Sequence, residues 1–156
     1  MSFKCSADTD TEIFLKKKAL NHESNDISRT YLILDGDAGN FAVKGYFTLA
    51  VKCLMIDDRA DKAHEIYDQM NINKGVAQAY LLGQLSKADG TEKGLGKKMI
   101  DIALETFIEG NKMFGCRTVR LDCKNEPKLL KYYESCGFTP IGMSRDGTMH
   151  QMVAII

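Results

Sequence analysis

Asp89-Gly90-Thr91-Glu92-Lys93-Gly94-Leu95-Gly96-Lys97-Lys98-Met99-Ile100 joins the apolar, strand-like run Val76 to Lys87 to a helix whose apolar face recurs at Ile100, Ala103, Leu104, Phe107 and Ile108. Gly110 with Asn111, or Gly115, is placed to end that helix. Strand, glycine-rich turn and helix form the unit with which a small α/β protein holds a diphosphate. The glycines let the backbone come close, and the helix start offers N–H groups without intrahelical acceptors at its positive dipole end. Gly96 is followed by Lys97-Lys98-Met99, so the Gly-Lys-Ser/Thr ending of a nucleoside-triphosphate loop is missing. The third spaced glycine of a dinucleotide fingerprint is missing too, and the turn comes late in the chain. Glycine turns also cap ordinary strand-to-helix junctions, and Lys93, Lys97 and Lys98 read equally as phosphate partners or as a solvated helix start.

Downstream, Thr118 to Asp122 reads as a short strand. Pro127 suits the first turn of a helix that Gly137 ends, and Phe138-Thr139-Pro140-Ile141 and Thr148 to Ile156 close the chain as strands. Upstream, Thr9-Asp10-Thr11-Glu12 has capping-box form ahead of a helix that fades by Asn21-His22. Arg29 to Asp35, the turn-rich Asp35-Gly36-Asp37-Ala38-Gly39-Asn40, and Phe41 to Ile56 predict a hairpin. Ala63, Ile66, Tyr67 and Met70 predict a short surface helix ended by Asn71 to Gly75. The order β-α-β-β-(α)-β-α-β-α-β-β implies a mixed sheet with helices on both faces. A chain of 156 residues without repeat or linker predicts one domain over 1–156 that buries roughly two-thirds of its unfolded surface.

Lys and Arg number 21, as do Asp and Glu, so no large basic field is present to hold nucleic acid non-specifically. Five cysteines, Cys5, Cys53, Cys116, Cys123 and Cys136, form no C-x-x-C pair and are odd in number, which predicts free thiols in a reducing compartment. With neither a signal-peptide apolar region nor a membrane-length apolar run, a cytoplasmic protein with no membrane partner is expected. His64-Glu65-Ile66-Tyr67-Asp68 lacks the second histidine of a zinc helix, so no metal is expected. Nothing in the sequence gives Cys123 or Cys136 a base partner, and His22 and His150 stand isolated.

The glycine turn and the segment Asn125-Glu126-Pro127-Lys128-Leu129-Leu130-Lys131-Tyr132-Tyr133-Glu134-Ser135-Cys136-Gly137-Phe138 together resemble the cofactor-binding half of the GNAT acetyltransferase family. Gly94-Leu95-Gly96 fits the family's loop, with Thr91 where Gln or Arg is usual, and Tyr133-Glu134-Ser135-Cys136-Gly137-Phe138 is similar to its Tyr-Glu-x-x-Gly-Phe signature. The resemblance implies an α/β (α+β) fold whose mostly antiparallel sheet is splayed between its fourth and fifth strands. It implies acetyl-CoA as cosubstrate, with Thr91, Glu92, Lys93, Gly94, Leu95, Gly96 and Lys97 around the diphosphate and the backbone of Leu85, Ser86 and Lys87 beside the pantetheine arm. Gly83 in that strand marks a bulge or a close approach. The family's frequent asparagine falls on Glu126, leaving Asn125 beside it as the candidate contact. Tyr133 matches the family's tyrosine near the thioester sulfur and is the candidate general acid, and the Leu85 N–H is the candidate oxyanion donor. No carboxylate stands in Val76 to Leu85, which favours an α-amine acceptor (reference pKa ~8) over a lysine ε-amine (~10.4).

Phe3-Lys4-Cys5-Ser6, Phe14-Leu15-Lys16-Lys17-Lys18-Ala19-Leu20, Ser28-Arg29-Thr30-Tyr31-Leu32 and Gly45-Tyr46-Phe47-Thr48-Leu49 extend the resemblance to the GNAT branch that includes aminoacyl-tRNA-acetylating toxins. Candidate partners are then an amine acceptor such as aminoacyl-tRNA, an antitoxin and a second copy of the chain, with Lys16 to Lys18, Arg29 and Lys52 as candidate RNA contacts. A housekeeping acetyltransferase of a small amine or protein N-terminus, and an acyl-CoA-binding module without catalysis, are the alternative readings.

Overall fold

Asp8 starts the first helix: its carboxylate accepts the Asp10 N–H, and α1 (Thr9–Lys17) follows. The structure, a computed structural model, describes residues 3–37, 39–55, 76–144 and 146–156. The Thr9 to Glu12 capping box is not used as one, because Asp8 takes the cap and the Glu12 carboxylate reaches back to the Cys5 N–H at 2.9 Å. Lys18, at φ −118°, separates α1 from α2 (Ala19–Ser24), where one fading helix was expected. Residues 3–8, ahead of α1, form no strand, which corrects the expected order by removing its first element.

The hairpin forms as expected. β1 (Arg29–Asp35) pairs antiparallel with β2 (Ala42–Met55), from Arg29↔Leu49 to Asp35↔Ala42, with a shift between Ile33 and Leu34. The expected helix between Asp61 and Met70 and the His64 motif lie outside the described residues. β3 (Val76–Lys87) leads through the glycine turn to α3 (Leu95–Phe114), followed by β4 (Thr118–Lys124), α4 (Pro127–Ser135), β5 (Thr139–Met143) and β6 (Met149–Ile155). The six strands are ordered β1-β2-β3-β4-β6-β5. β6 runs antiparallel to both β4 and β5, whereas β3 and β4 are parallel. The parallel ladder comprises Tyr80↔Val119 and Leu81↔Arg120 and ends well before β3 does. No described helix is long and apolar enough to cross a membrane.

The chain divides into two compact units, and β3 and α3 each contribute to both. In the unit of Met1–Ala50 and Leu82–Ala103, Tyr46 is fully buried with Phe3 against it edge-on at 5.5 Å, and its hydroxyl donates to the Thr11 carbonyl at 2.6 Å. Burial pushes this phenol well above its ordinary pKa, so it stays protonated and keeps the bond. In the unit of Val51–Leu81 and Leu104–Ile156, Tyr80 stacks on Phe107 at 4.8 Å and donates to the Gly115 carbonyl at 2.9 Å. A methyl on Gly110 would lie 2.9 Å from that hydroxyl. Gly110 is therefore a packing residue inside α3, and Gly115 is the glycine that follows the helix end.

Candidate active site

The glycine turn is held from beneath by β2. The Lys44 carbonyl accepts the Ala88 N–H at 2.8 Å and the Thr91 hydroxyl at 3.2 Å. Thr91, where the resembled family has Gln or Arg, thus spends its side chain on the scaffold. Beside it, Asp89 accepts the Ser6 N–H at 2.9 Å and the Ser6 hydroxyl at 2.7 Å, and its N–H donates to the Lys4 carbonyl at 2.9 Å. Residues 4–6 therefore clasp the turn instead of forming a strand. The hydrogen bonds from Ser6 hold the Asp89 carboxyl below the usual carboxylate range.

Gly94 has φ +93°, a conformation that side chains rarely adopt, and nothing stands within 4 Å of where its Cβ would be. Its carbonyl accepts the Lys98 N–H at 3.1 Å, closing the first turn of α3. Gly96 lies inside that turn without a positive φ. Glu92 and Lys93 are exposed, Lys97 pairs with Asp101 one turn along, and Leu95 is 5% exposed. Leu95 and Met99 pack over Gly45 of β2, where a methyl would lie 2.9 Å from Met99 Sδ, 3.1 Å from the Ser86 carbonyl and 3.2 Å from Leu95 Cδ2. Gly45 is the reason β3 and α3 come this close to β2. The first-turn N–H groups of α3 and the open space over Gly94 fit a diphosphate.

On β3, the buried Ser86 hydroxyl shares a 2.8 Å hydrogen bond with that of Thr11, so its polarity is satisfied within the core. Leu85 is half-buried and Lys87 exposed. Next to Gly83, the Gln84 N–H donates to the Thr48 hydroxyl at 2.8 Å, so a side chain of β2 stands in for a backbone acceptor there. Leu85 to Lys97, from the end of β3 through the turn to the start of α3, form one continuous segment of the first unit. Sequence reasoning missed Lys44, Gly45 and Thr48, whose roles depend on β2 lying against β3, the turn and the start of α3.

In the other unit, Pro127 opens α4, and Gly137, at φ +91°, follows its C-cap Cys136 with the Phe138 N–H reaching the Tyr133 carbonyl at 3.1 Å. Tyr133 is half-buried, edge-on to Phe138 at 6.2 Å, with Tyr132 at 5.4 Å. The buried Phe138 of the Tyr-Glu-x-x-Gly-Phe segment thus braces the tyrosine that the segment presents. Asn125, exposed at the end of β4, meets His150 Nε2 at 2.9 Å through its Oδ1. His150 is therefore not isolated; the Cys123↔His150 register that brings the two residues together is a long-range pairing. Burial, and then Glu126, push the Cys123 thiol pKa up, which suits a packing role. Arg120 Nη2 donates to both carboxylate oxygens of Asp122 at 2.8 Å, and Nη1 to the Cys53 carbonyl at 3.2 Å, on the face of β4 away from the buried Val119 and Leu121. Among the described residues no group of His, Cys, Asp and Glu is arranged to hold a metal ion.

No protein-family model and no curated protein matches the chain. Solved structures do. The chain is similar to AtaT complexed with acetyl-methionyl-tRNAfMet, with a TM-score of 0.76 and 19% identity over 95% of this chain and 84% of that one. A mutant AtaT toxin bound to the C-terminus of the antitoxin AtaR and acetyl-CoA matches at 0.72 and 20% over 97% and 82%. A structure described as a bacterial toxin matches at 0.79 and 14% over 99% and 82%. With its mixed sheet, its parallel β3–β4 pair and the glycine turn that opens α3, the chain has the GNAT fold, in the form these toxins share.

Proposed function

We propose that this protein is an acetyl-CoA-dependent N-acetyltransferase of toxin type that transfers acetyl directly to the α-amine of an aminoacyl-tRNA and is restrained by an antitoxin. The observation that carries this reading is the glycine turn at the start of α3, open above Gly94 and braced by β2, in a fold whose solved neighbours include AtaT bound in one structure to an acetylated aminoacyl-tRNA and, as a mutant, in another to acetyl-CoA. In this reading the N–H groups from Gly94 to Lys97 hold the diphosphate, with Thr91, Glu92 and Lys93 shaping the approach. The backbone of Leu85, Ser86 and Lys87 pairs with the pantetheine arm like an added strand, and Asn125 adds a side-chain contact.

The amine nitrogen attacks the thioester carbonyl carbon, the C–N bond forms as the C–S bond breaks, the amine gives its proton to water, and the leaving sulfur takes one from the Tyr133 hydroxyl, which regains its proton from solvent. The Leu85 N–H steadies the carbonyl oxygen. The test is acetylation by the purified protein of aminoacyl-tRNA, peptides with free N-termini, lysine peptides and polyamines at matched concentrations. Turnover of charged tRNA supports the reading. Turnover of polyamine or lysine alone rejects the acceptor, and acetyl-CoA binding without any turnover marks a binding module.

A further inference from the structure

Asn125 stands alone between Lys124, the last residue of β4, and Glu126, the N-cap of α4. The backbone around it is held: the Glu126 N–H reaches the Lys124 carbonyl at 2.7 Å, and the Glu126 carbonyl accepts the Leu129 and Leu130 N–H groups at 2.9 Å and 3.0 Å. What the backbone leaves open is the amide of this exposed side chain. Its two ends differ in chemistry, since Oδ1 only accepts and Nδ2 only donates. In solvent such an amide turns and offers either end.

His150 removes that freedom. It lies on β6, the strand between β4 and β5, in register with Cys123 on one side and Met143 on the other, so two ladders fix the backbone that carries its half-buried ring. Its Nε2 is 2.9 Å from Asn125 Oδ1. The oxygen has no proton to give, so the ring nitrogen donates, and the two N–H groups of Nδ2 are turned away from the ring. We propose that His150 is a positioning residue for the acyl donor: by holding Oδ1 it presents the Nδ2 donors of Asn125 to an acceptor oxygen of acetyl-CoA. Without the ring, the amide is as ready to offer its own oxygen, which repels that acceptor. The role rests on the reading of Asn125 as a contact of the cosubstrate.

Titration calorimetry of acetyl-CoA with the full chain tests this, with thermal unfolding to verify that each variant folds. His150→Leu is expected to raise Kd about three- to tenfold, the range of one hydrogen bond, and His150→Gln, whose amide N–H still donates to Oδ1, to recover most of the loss. His150→Asn, too short to reach Oδ1, replaces the leucine variant if leucine disturbs the strand. Asn125→Ala should cost about as much, and Asn125→Ala combined with His150→Leu no more than Asn125→Ala alone, because His150 acts through Asn125. Asn125→Asp keeps the acceptor for His150 but has no outward donor, and should bind at least as weakly as Asn125→Ala. NMR relaxation of the Asn125 side-chain amide, without cosubstrate, should find it ordered in the wild type and mobile in His150→Leu. A wild-type chain that does not bind acetyl-CoA overturns the reading of the site and this role with it. Wild-type binding that His150→Leu leaves unchanged, or losses that add in the double variant, overturn the role of His150 alone.

Discussion

Gly94 and Gly96 look alike in the sequence and differ in kind. Gly94 needs no ligand to explain it, because φ +93° alone costs any other residue about 1–2 kcal/mol. Gly96 carries no such requirement, so a side chain there is tolerated by the backbone and reports on what lies outside it. Gly96→Ala is expected to leave thermal stability equal or up to about 1 kcal/mol higher, since alanine favours a helix. Gly96→Asp is expected to abolish acetyl-CoA binding in titration calorimetry, by bulk and by charge; unchanged affinity would remove the phosphates from this turn. Tyr133→Phe keeps the ring packed on Phe138 and removes only the hydroxyl. It should lower kcat on the order of tenfold or more with acetyl-CoA affinity intact. A crippled Tyr132→Phe beside a normal Tyr133→Phe would move the acid by one residue.

At the scale of elements, those with local signals were legible: the hairpin from its turn residues, α4 from Pro127 and Gly137, α3 from its apolar face. The segment before α1 was not. Phe3-Lys4-Cys5 has the composition of a strand, but Phe3 and Cys5 are buried in the cluster around Tyr46, and the backbone bonds of residues 4–6 go to Asp89 and Glu12, far away in sequence or on the next helix. This clasp has a pH signature. Glu12 is held below its ordinary pKa by Lys16 and the Cys5 N–H, and Asp89 by Ser6. Groups whose pKa is lowered by folding bind more protons when unfolded, so their stabilisation is present above the ordinary carboxylate pKa, about 4, and is lost as pH falls through the lowered values. Asp146, drawn to about 2 by Ser144 and Thr148 in the β5–β6 turn, works in the same sense and marks the lower end of the window. Urea unfolding should therefore lose stability steadily between about pH 4 and pH 2, and Asp89→Asn should flatten part of that slope while lowering stability near neutrality. An unchanged slope would show that the clasp does not persist in solution.

For the whole molecule, two short motifs in the right order, the turn around Gly94 and the segment ending at Phe138, carried the family resemblance from which the fold was expected, while each encodes only its own stretch of backbone locally. The parallel meeting of β3 and β4 at Tyr80 and Leu81, and the partners of Thr91, Ser86 and Asn125, depend on residues distant in sequence and were not legible. The equal numbers of acidic and basic residues bear directly on the proposed acceptor. A neutral chain grips tRNA through a few local contacts, and about three phosphate contacts predict a fall in affinity of roughly 20- to 40-fold for a fourfold rise in salt. The catalytic step should respond to pH separately from this. Val76 to Leu85 holds no carboxylate, so the amine must reach the thioester already neutral, and at pH 7 an α-amine with pKa ~8 is neutral about 200 times more often than an ε-amine with pKa ~10.4. With aminoacyl-tRNA at constant ionic strength, kcat/KM is therefore expected to rise about tenfold per pH unit and to level off near the pKa of the acceptor amine. A plateau beginning near pH 5 would instead reveal a carboxylate base elsewhere in the chain, and with it the preference for α-amines would lose its physical ground.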